Sequence, residues 1–246
     1  MTILKKLYAK SQIWFAALWI VVYCVLMSVG DSLSARIGIA KSVTLAIGIL
    51  LSAILLLFLR KNGLMANYGL CAPKTSARSM LYYAPVFIML TANFLYGVTA
   101  HYGVLETVLY MLAMLCVGFL EEMIFRGLLF EAMRGDSEKA AVIVSSVTFG
   151  IGHILNLING SGAELLPNLL QVVYATAAGF MFVMIYLRSG SLLVCIAAHG
   201  IFNALSVFAD ETGAATGMRI WTALLLTGIT GAYAVYLAAV KKETKG

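Results

Sequence analysis

Five ionisable side chains stand inside apolar stretches of the sequence, where a charge is expensive and by default marks a functional or paired group. They are Glu121, Glu122, Arg126, His153 and His199. Residues four apart share one face of a helix, so Glu122 and Arg126 are predicted to pair. Adjacent helical residues diverge by about 100°. Glu121 therefore needs a partner from another helix, from water or from a proton of its own.

The same four-residue spacing recurs in two further apolar stretches. "FGIGH" places Phe149 and His153 on one helix face, and "HGIFN" does so for His199 and Asn203. A glutamate and a histidine can hold a water and accept its proton. A second histidine and an asparagine can donate hydrogen bonds to a developing oxyanion. Together these residue types predict a hydrolytic site.

Three other kinds of protease chemistry fit the sequence less well. No predicted span contains a serine nucleophile in a GxSx-type context, and no HExxH motif marks a zinc protease. A two-aspartate protease is not supported, because Asp31, Asp136 and Asp210 stand at predicted helix ends or in loops. A thiol–imidazole dyad is geometrically possible, because Cys195 and His199 are four residues apart, although cysteine is common in apolar spans.

Metal binding and two non-hydrolytic functions also stay open at this point. Glu121, His153 and His199 could be zinc ligands, but Asn203 has no natural role in a zinc site. The four cysteines show no metal-ligand or redox spacing, so no cofactor and no metal are predicted. A proton-coupled transporter would use intramembrane Glu and His on both sides of the midplane, whereas the outer halves here are apolar. A non-catalytic membrane partner would tolerate loss of Glu121.

The elements that carry these residues are predicted to be membrane-spanning helices. The 246 residues are 62% hydrophobic and 11% charged, against about 45–50% and about 25% in soluble domains. Continuous apolar runs of about twenty residues favour helices over the alternating strands of a barrel. We predict an all-α polytopic membrane helix bundle that forms a single integral membrane domain, 1–246. Its eight transmembrane helices are predicted at about 13–30, 43–59, 80–99, 104–131, 139–157, 165–187, 191–209 and 220–240.

Basic residues flank alternate loops and set the predicted orientation, with both termini cytoplasmic. These residues are Lys5, Lys6, Lys10, Arg60, Lys61, Lys74, Arg78, Arg134, Lys139, Arg188, Lys241, Lys242 and Lys245. At a rise of about 1.5 Å per residue, Glu121, His153 and His199 lie about 16–21 Å from basic flanks. A shared polar cavity near the bilayer centre, reached from the cytoplasmic side, is therefore predicted. The net charge of +6 is dispersed, so nucleic acid is not a predicted partner.

Three motifs in this order resemble those of a known family. "EEMIFR" (121–126) is similar to the EExxxR motif of the CAAX-protease and bacteriocin-processing family of intramembrane glutamic endopeptidases. "FGIGH" (149–153) resembles its FxxxH motif, and "HGIFN" (199–203) its HxxxN motif. They fall on the fourth, fifth and seventh predicted spans. The motif-bearing core of the resemblance covers about 105–209.

The resemblance implies a role for each motif residue. Glu121 and His153 resemble the family's pair that activates the attacking water. His199 and Asn203 are similar to its oxyanion-stabilising pair. The remaining motif residues, implied to support the site structurally, are Glu122, Arg126 and Phe149.

The family also implies the kind of substrate. Its best-known activity removes a C-terminal tripeptide from prenylated proteins, and bacterial members process or confer resistance to small peptides. The expected partners are therefore membrane lipid and a peptide or lipidated-protein substrate. The short loops favour a prokaryotic plasma-membrane protein. The alternative is a non-catalytic membrane immunity or scaffold protein of the same family.

Overall fold

The computed structural model describes residues 3–158 and 164–240, and within these ranges the chain is helical without a β-strand. The all-α prediction is confirmed. The α-helices are α1 (Ile3–Lys10), α2 (Gln12–Ile37), α3 (Ser42–Lys61), α4 (Ala84–Thr91), α5 (Val104–Glu121), α6 (Phe130–Arg134), α7 (Glu138–Gly152), α8 (Leu165–Ser189), α9 (Leu193–Leu205) and α10 (Thr216–Ala239). The predicted cytoplasmic tail residues Lys241, Lys242 and Lys245 lie outside the described residues.

Six helices in the described part of the chain are long and apolar enough to cross a membrane. They are Gln12–Ile37, Ser42–Lys61, Val104–Arg134, Glu138–Leu157, Leu165–Ser189 and Thr216–Ala239. By length and composition, the prediction of a multi-pass membrane protein is therefore confirmed. The seventh predicted span is a shorter apolar helix, Leu193–Phe208. The count of eight spans and the cytoplasmic termini stay predictions.

The third predicted span, 80–99, is not a continuous helix. Pro85 lies in the first turn of α4, because a proline deeper in a helix clashes with the carbonyl four residues earlier. The three residues before α4 have φ between 49° and 57°, which is uncommon for residues other than glycine. α4 has 8 residues and is thus about 12 Å long, too short for a hydrocarbon core of about 30 Å.

The fourth predicted span is one continuous rod whose middle is a π-helix. α5 leads into π-helical Glu122–Leu129, and α6 completes the rod. A π-helix bonds each residue to the fifth one along, and such segments are frequent at functional sites. All eight of its residues are buried, and the segment packs against α2 and α7. The π-helix therefore holds the second motif glutamate in the middle of the bundle.

One end of the bundle is rich in basic residues, and we call it the basic end. Segment 62–77 packs there on the α8–α9 turn, where the Lys74 backbone N–H donates to the Ser189 carbonyl at 2.7 Å. Arg188 Nε donates to the Leu237 carbonyl at 2.6 Å and so joins the ends of α8 and α10. Further basic residues stand at the helix ends on this side: Lys10, Arg60, Lys61, Arg134 and Lys139.

The other end, which we call the opposite end, comprises the α2–α3 turn, the loop before α5 and the α9–α10 loop. The last two meet where the Thr99 N–H donates to the Phe208 carbonyl at 3.0 Å. The α2–α3 turn joins them, because the Ala40 N–H donates to Glu106 Oε1 at 2.9 Å. Each long helix therefore runs between a basic end and an end of mixed charge.

Candidate functional site

A buried ion pair and a histidine form the centre of the site. Glu122 Oε1 accepts hydrogen bonds from Arg126 Nη1 at 3.0 Å and from His199 Nδ1 at 2.8 Å. Glu122 and Arg126 are fully buried, and His199 is 5% exposed. The predicted pair of Glu122 and Arg126 is present. Helix α9 adds His199 to this pair, a contact that the spacing within one helix did not indicate.

Aromatic rings enclose this cluster on both sides. The Arg126 guanidinium lies 4.1 Å from the ring centre of Phe149 and 5.5 Å from that of Phe182. The His199 ring stacks on Phe182 at 5.5 Å and meets the edge of Phe149 at 5.5 Å. Because ring faces attract cations, these contacts favour a charged Arg126 away from water. Phe149 therefore contacts both Arg126 and His199, and Phe182 of α8, which lies in no motif, contacts the same two residues.

Two glycines let α9 approach α5 closely enough to bring His199 to the glutamates. A Cβ atom on Gly118 would lie 2.5 Å from the backbone N and Cα of Gly200. No side chain fits at that distance, so the two backbones touch next to His199. As a result, His199 Nε2 lies 3.3 Å from Glu121 Oε2 while its Nδ1 bonds to Glu122.

Glu121 has partners on two other helices. A partner on another helix was one of the possibilities that the sequence left open for it. Its Oε1 accepts a hydrogen bond from the Tyr23 hydroxyl of α2 at 2.7 Å. Its Oε2 faces His199 of α9 at 3.3 Å. Tyr23 is buried and 98 residues away in sequence, and no sequence motif marked it.

His153 is held in one orientation at the end of α7. Its Nδ1 lies 3.1 Å from the Phe149 carbonyl. A carbonyl only accepts, so Nδ1 carries the proton, and a neutral ring then presents the lone pair of Nε2. Asn168 of α8, which is 2% exposed, donates from Nδ2 to the His153 carbonyl at 2.8 Å. Asn168 lies in no motif, and the sequence reasoning missed it.

The four predicted catalytic residues surround two adjoining cavities. The larger, of about 390 Å³, is lined by Glu121, His153 and Asn203 among others. The smaller, of about 50 Å³, is lined by His153, His199 and Asn203. In the described part of the chain, the imidazole in contact with Glu121 is that of His199, and no hydrogen bond joins Glu121 to His153. A molecule in the larger cavity can reach both groups.

The larger cavity extends from the site to the opposite end of the bundle. Asp31, Lys41 and Glu211 line it there, and its α5 wall includes Tyr110, on the opposite-end side of Glu121. The sequence predicted both that the cavity opens to the cytoplasm and that the basic end is cytoplasmic. Because the cavity extends to the opposite end, only one of these two predictions can be correct. The helical rise gave the depth of the motif residues, but it could not indicate which end of the bundle is open.

Two alternatives from the sequence can be compared with the geometry: a metal site and a dyad of Cys195 with His199. Among residues 3–158 and 164–240, no group of three His, Cys, Asp or Glu side chains is placed to hold a metal ion. The Cys195 thiol lies 3.4 Å from the Phe182 carbonyl, on the α8 side of α9. His199 has both ring nitrogens against carboxylates, so in this arrangement neither nitrogen is directed to that thiol.

Comparison with known proteins agrees with the motifs. Residues 103–205 match the family model described as Rce1-like, type II CAAX prenyl endopeptidase Rce1-like. The match begins at the start of α5, ends with α9 and includes all three motifs, so the resemblance inferred from them is confirmed. No curated protein and no solved structure gives a significant match to the chain. Helix α2, which carries Tyr23, lies outside the matched range.

Proposed function

We propose that the protein is an intramembrane endopeptidase that uses a Glu/His-activated water, because residues 103–205 match the family model described as Rce1-like, type II CAAX prenyl endopeptidase Rce1-like. One observation carries the proposal: Glu121, His153 and Asn203 line one cavity inside a bundle of apolar helices. The substrate is a membrane-associated peptide or a lipidated protein, and the location is a prokaryotic plasma membrane with its lipid around the bundle.

The first chemical step is attack by a water held between Glu121 and His153. The water oxygen bonds to the scissile carbonyl carbon while one water O–H bond breaks and its proton passes to the Glu121 carboxylate. The proposed tautomer of His153 leaves Nε2 free to accept a hydrogen bond from the same water. The carbonyl oxygen then carries the negative charge.

His199 and Asn203 stabilise that oxyanion. Glu121, Glu122 and Arg126 together carry one net negative charge, so a doubly protonated His199 balances them and satisfies both of its carboxylate contacts. When Glu121 takes the proton, its attraction for His199 falls, and the Nε2–H becomes free to turn to the oxyanion. Collapse of the intermediate breaks the C–N bond, and the leaving amine takes the proton from Glu121.

Asn203→Ala is expected to lower kcat by about 10²–10³, or about 2.7–4 kcal/mol, because one oxyanion donor is lost. The assay uses purified protein and a farnesylated CAAX-type peptide, and mass spectrometry follows release of the C-terminal fragment. Asn62→Ala is the matched control, since its amide donates to the Phe58 carbonyl at the basic end. An Asn203→Ala rate equal to that of the control would contradict the oxyanion role.

The same assay separates the alternatives. A metal chelator is expected to leave the rate unchanged. Inactivation that added zinc reverses would instead favour Glu121, His153 and His199 as zinc ligands. A protein that binds peptides or a membrane partner but cleaves none would favour the non-catalytic immunity or scaffold alternative.

Access to the cavity is expected from the side of the membrane opposite to the termini. In a variant without native cysteines, Glu211→Cys lies at the cavity mouth and Lys61→Cys at the basic end. A membrane-impermeant maleimide added to intact cells should label position 211, and position 61 only after the membrane is opened. The reverse labelling pattern would place the basic end outside the cell. Labelling of both positions from one side would contradict the assignment of the basic end and the opposite end to different sides of the membrane.

A further inference from the structure

We propose that Tyr23 is a positioning residue whose hydroxyl orients the Glu121 carboxylate toward the water from which it accepts a proton. The proposal rests on the proposed function for its kinetic consequence. It assigns a part of the active site to α2, which carries none of the three motifs and lies outside the matched range.

The contact itself is short and buried. The Tyr23 hydroxyl donates to Glu121 Oε1 at 2.7 Å, and only 8% of Tyr23 is exposed. Hydrogen bonds to an ionised acceptor are shorter and stronger than those between neutral groups. Inside an apolar bundle, a donor directed at a carboxylate oxygen replaces hydrogen bonds to water that burial removes.

The position of Tyr23 also fixes the direction of the carboxylate. Tyr23 holds Oε1 from α2, and His199 faces Oε2 at 3.3 Å from α9. One oxygen is thus hydrogen-bonded from α2 and the other faces α9, and neither helix carries Glu121. Tyr23 lines the same cavity as Glu121 and His153, so the bond forms at the cavity wall and not in the closed core.

Several titratable or charged groups face Glu121, and the test must separate Tyr23 from them. They are Tyr23 and Cys24 from α2, His153 from α7, His199 from α9, and Glu122 and Arg126 from its own helix. Tyr23→Phe removes one oxygen and leaves every other group in place. The ring of phenylalanine fills nearly the same volume, so the packing of α2 is retained.

Tyr23→Phe is expected to lower kcat about tenfold at a fixed pH, because the Glu121 carboxylate loses the donor that holds its Oε1 in one direction. KM should change little, since the hydroxyl bonds to Glu121. A loss in kcat without a change in KM is the result expected of a residue that acts through the base.

Tyr233→Phe is the matched control for loss of a buried phenol hydroxyl. Tyr233 is 2% exposed, and its hydroxyl donates to the Met80 carbonyl at 2.6 Å, away from the site. This control should leave kcat per folded molecule unchanged. A purely structural role for Tyr23 would lower the amount of folded protein, as the control can, without lowering kcat per folded molecule.

A second measurement does not depend on cleavage. The infrared carboxylate band of Glu121, identified by its absence in Glu121→Gln, is compared between the wild type and Tyr23→Phe. A shift in the frequency of this band, caused by loss of the hydrogen bond to Oε1, supports the proposal. A shifted band in a protein that cleaves nothing would keep the Tyr23–Glu121 contact but contradict the endopeptidase function. An unchanged band together with an unchanged kcat would overturn the proposal.

Discussion

Glu121→Gln is expected to lower kcat by about 10²–10⁴, the usual contribution of a general base, while the protein stays folded. Glutamine has nearly the shape of glutamate, and its amide oxygen can still accept from the Tyr23 hydroxyl, which lies 2.7 Å from Oε1 in the wild type. It cannot accept a proton from water at neutral pH. The substitution therefore removes the proposed base and retains most of the packing around it.

Glu131→Gln is the matched control on the same helical rod. Glu131 pairs with Arg134 at 3.2 Å near the basic end, and both side chains are partly exposed. Exposed pairs contribute about 0–1 kcal/mol, so this control should keep both rate and fold. Cleavage rate, thermal midpoint and elution volume are compared for the two variants. A Glu121→Gln protein as active as the control would contradict the glutamate mechanism.

The parts of the site that the sequence could indicate are those that depend on one helix. Glu122 and Arg126 are four residues apart, and this spacing sufficed to predict their ion pair. Long apolar runs were enough to predict the long spanning helices. The break before α4 also had a sequence signal, because Pro85 disfavours a continuous helix that begins at residue 80.

The parts that depend on packing between helices were beyond these patterns. Tyr23 meets Glu121 across 98 residues and His199 meets Glu122 across 77, and no residue spacing encodes such distances. The contact of α5 with α9 depends on Gly118 facing Gly200, and a glycine in a sequence does not name its partner. Which end of the bundle is open is likewise a property of packing.

Glu122→Gln is expected to act on stability and to reduce the amount of folded protein in the membrane. Glu122 and Arg126 are both fully buried, and the guanidinium has no other carboxylate hydrogen-bonded to it in the described part of the chain. Removing one partner of a buried pair costs about 3–5 kcal/mol, because the remaining charge is left uncompensated away from water. The contacts of Arg126 with Phe149 and Phe182 offset only part of this cost.

Glu122→Gln/Arg126→Met tests whether an unpaired charge is the cause. The double variant has no buried charge at either position, and apolar replacements of buried pairs are often neutral or stabilising. Its thermal midpoint should therefore recover much of what the single variant loses. Equal loss in both variants would point to packing in the π-helical segment and not to the charge.

The two adjacent glutamates should thus fail in different ways, although each substitution replaces one carboxylate oxygen with an amide nitrogen. Glu121 borders the larger cavity, and its partners are a hydroxyl and an imidazole. The imidazole can give up its second proton when the carboxylate is lost, so no permanent cation is left unpaired. Glu122 lies away from that cavity wall and balances a guanidinium. Comparing folded yield with rate per folded molecule separates the two effects. A well-folded, inactive Glu122→Gln beside an active Glu121→Gln would show that the two roles are reversed.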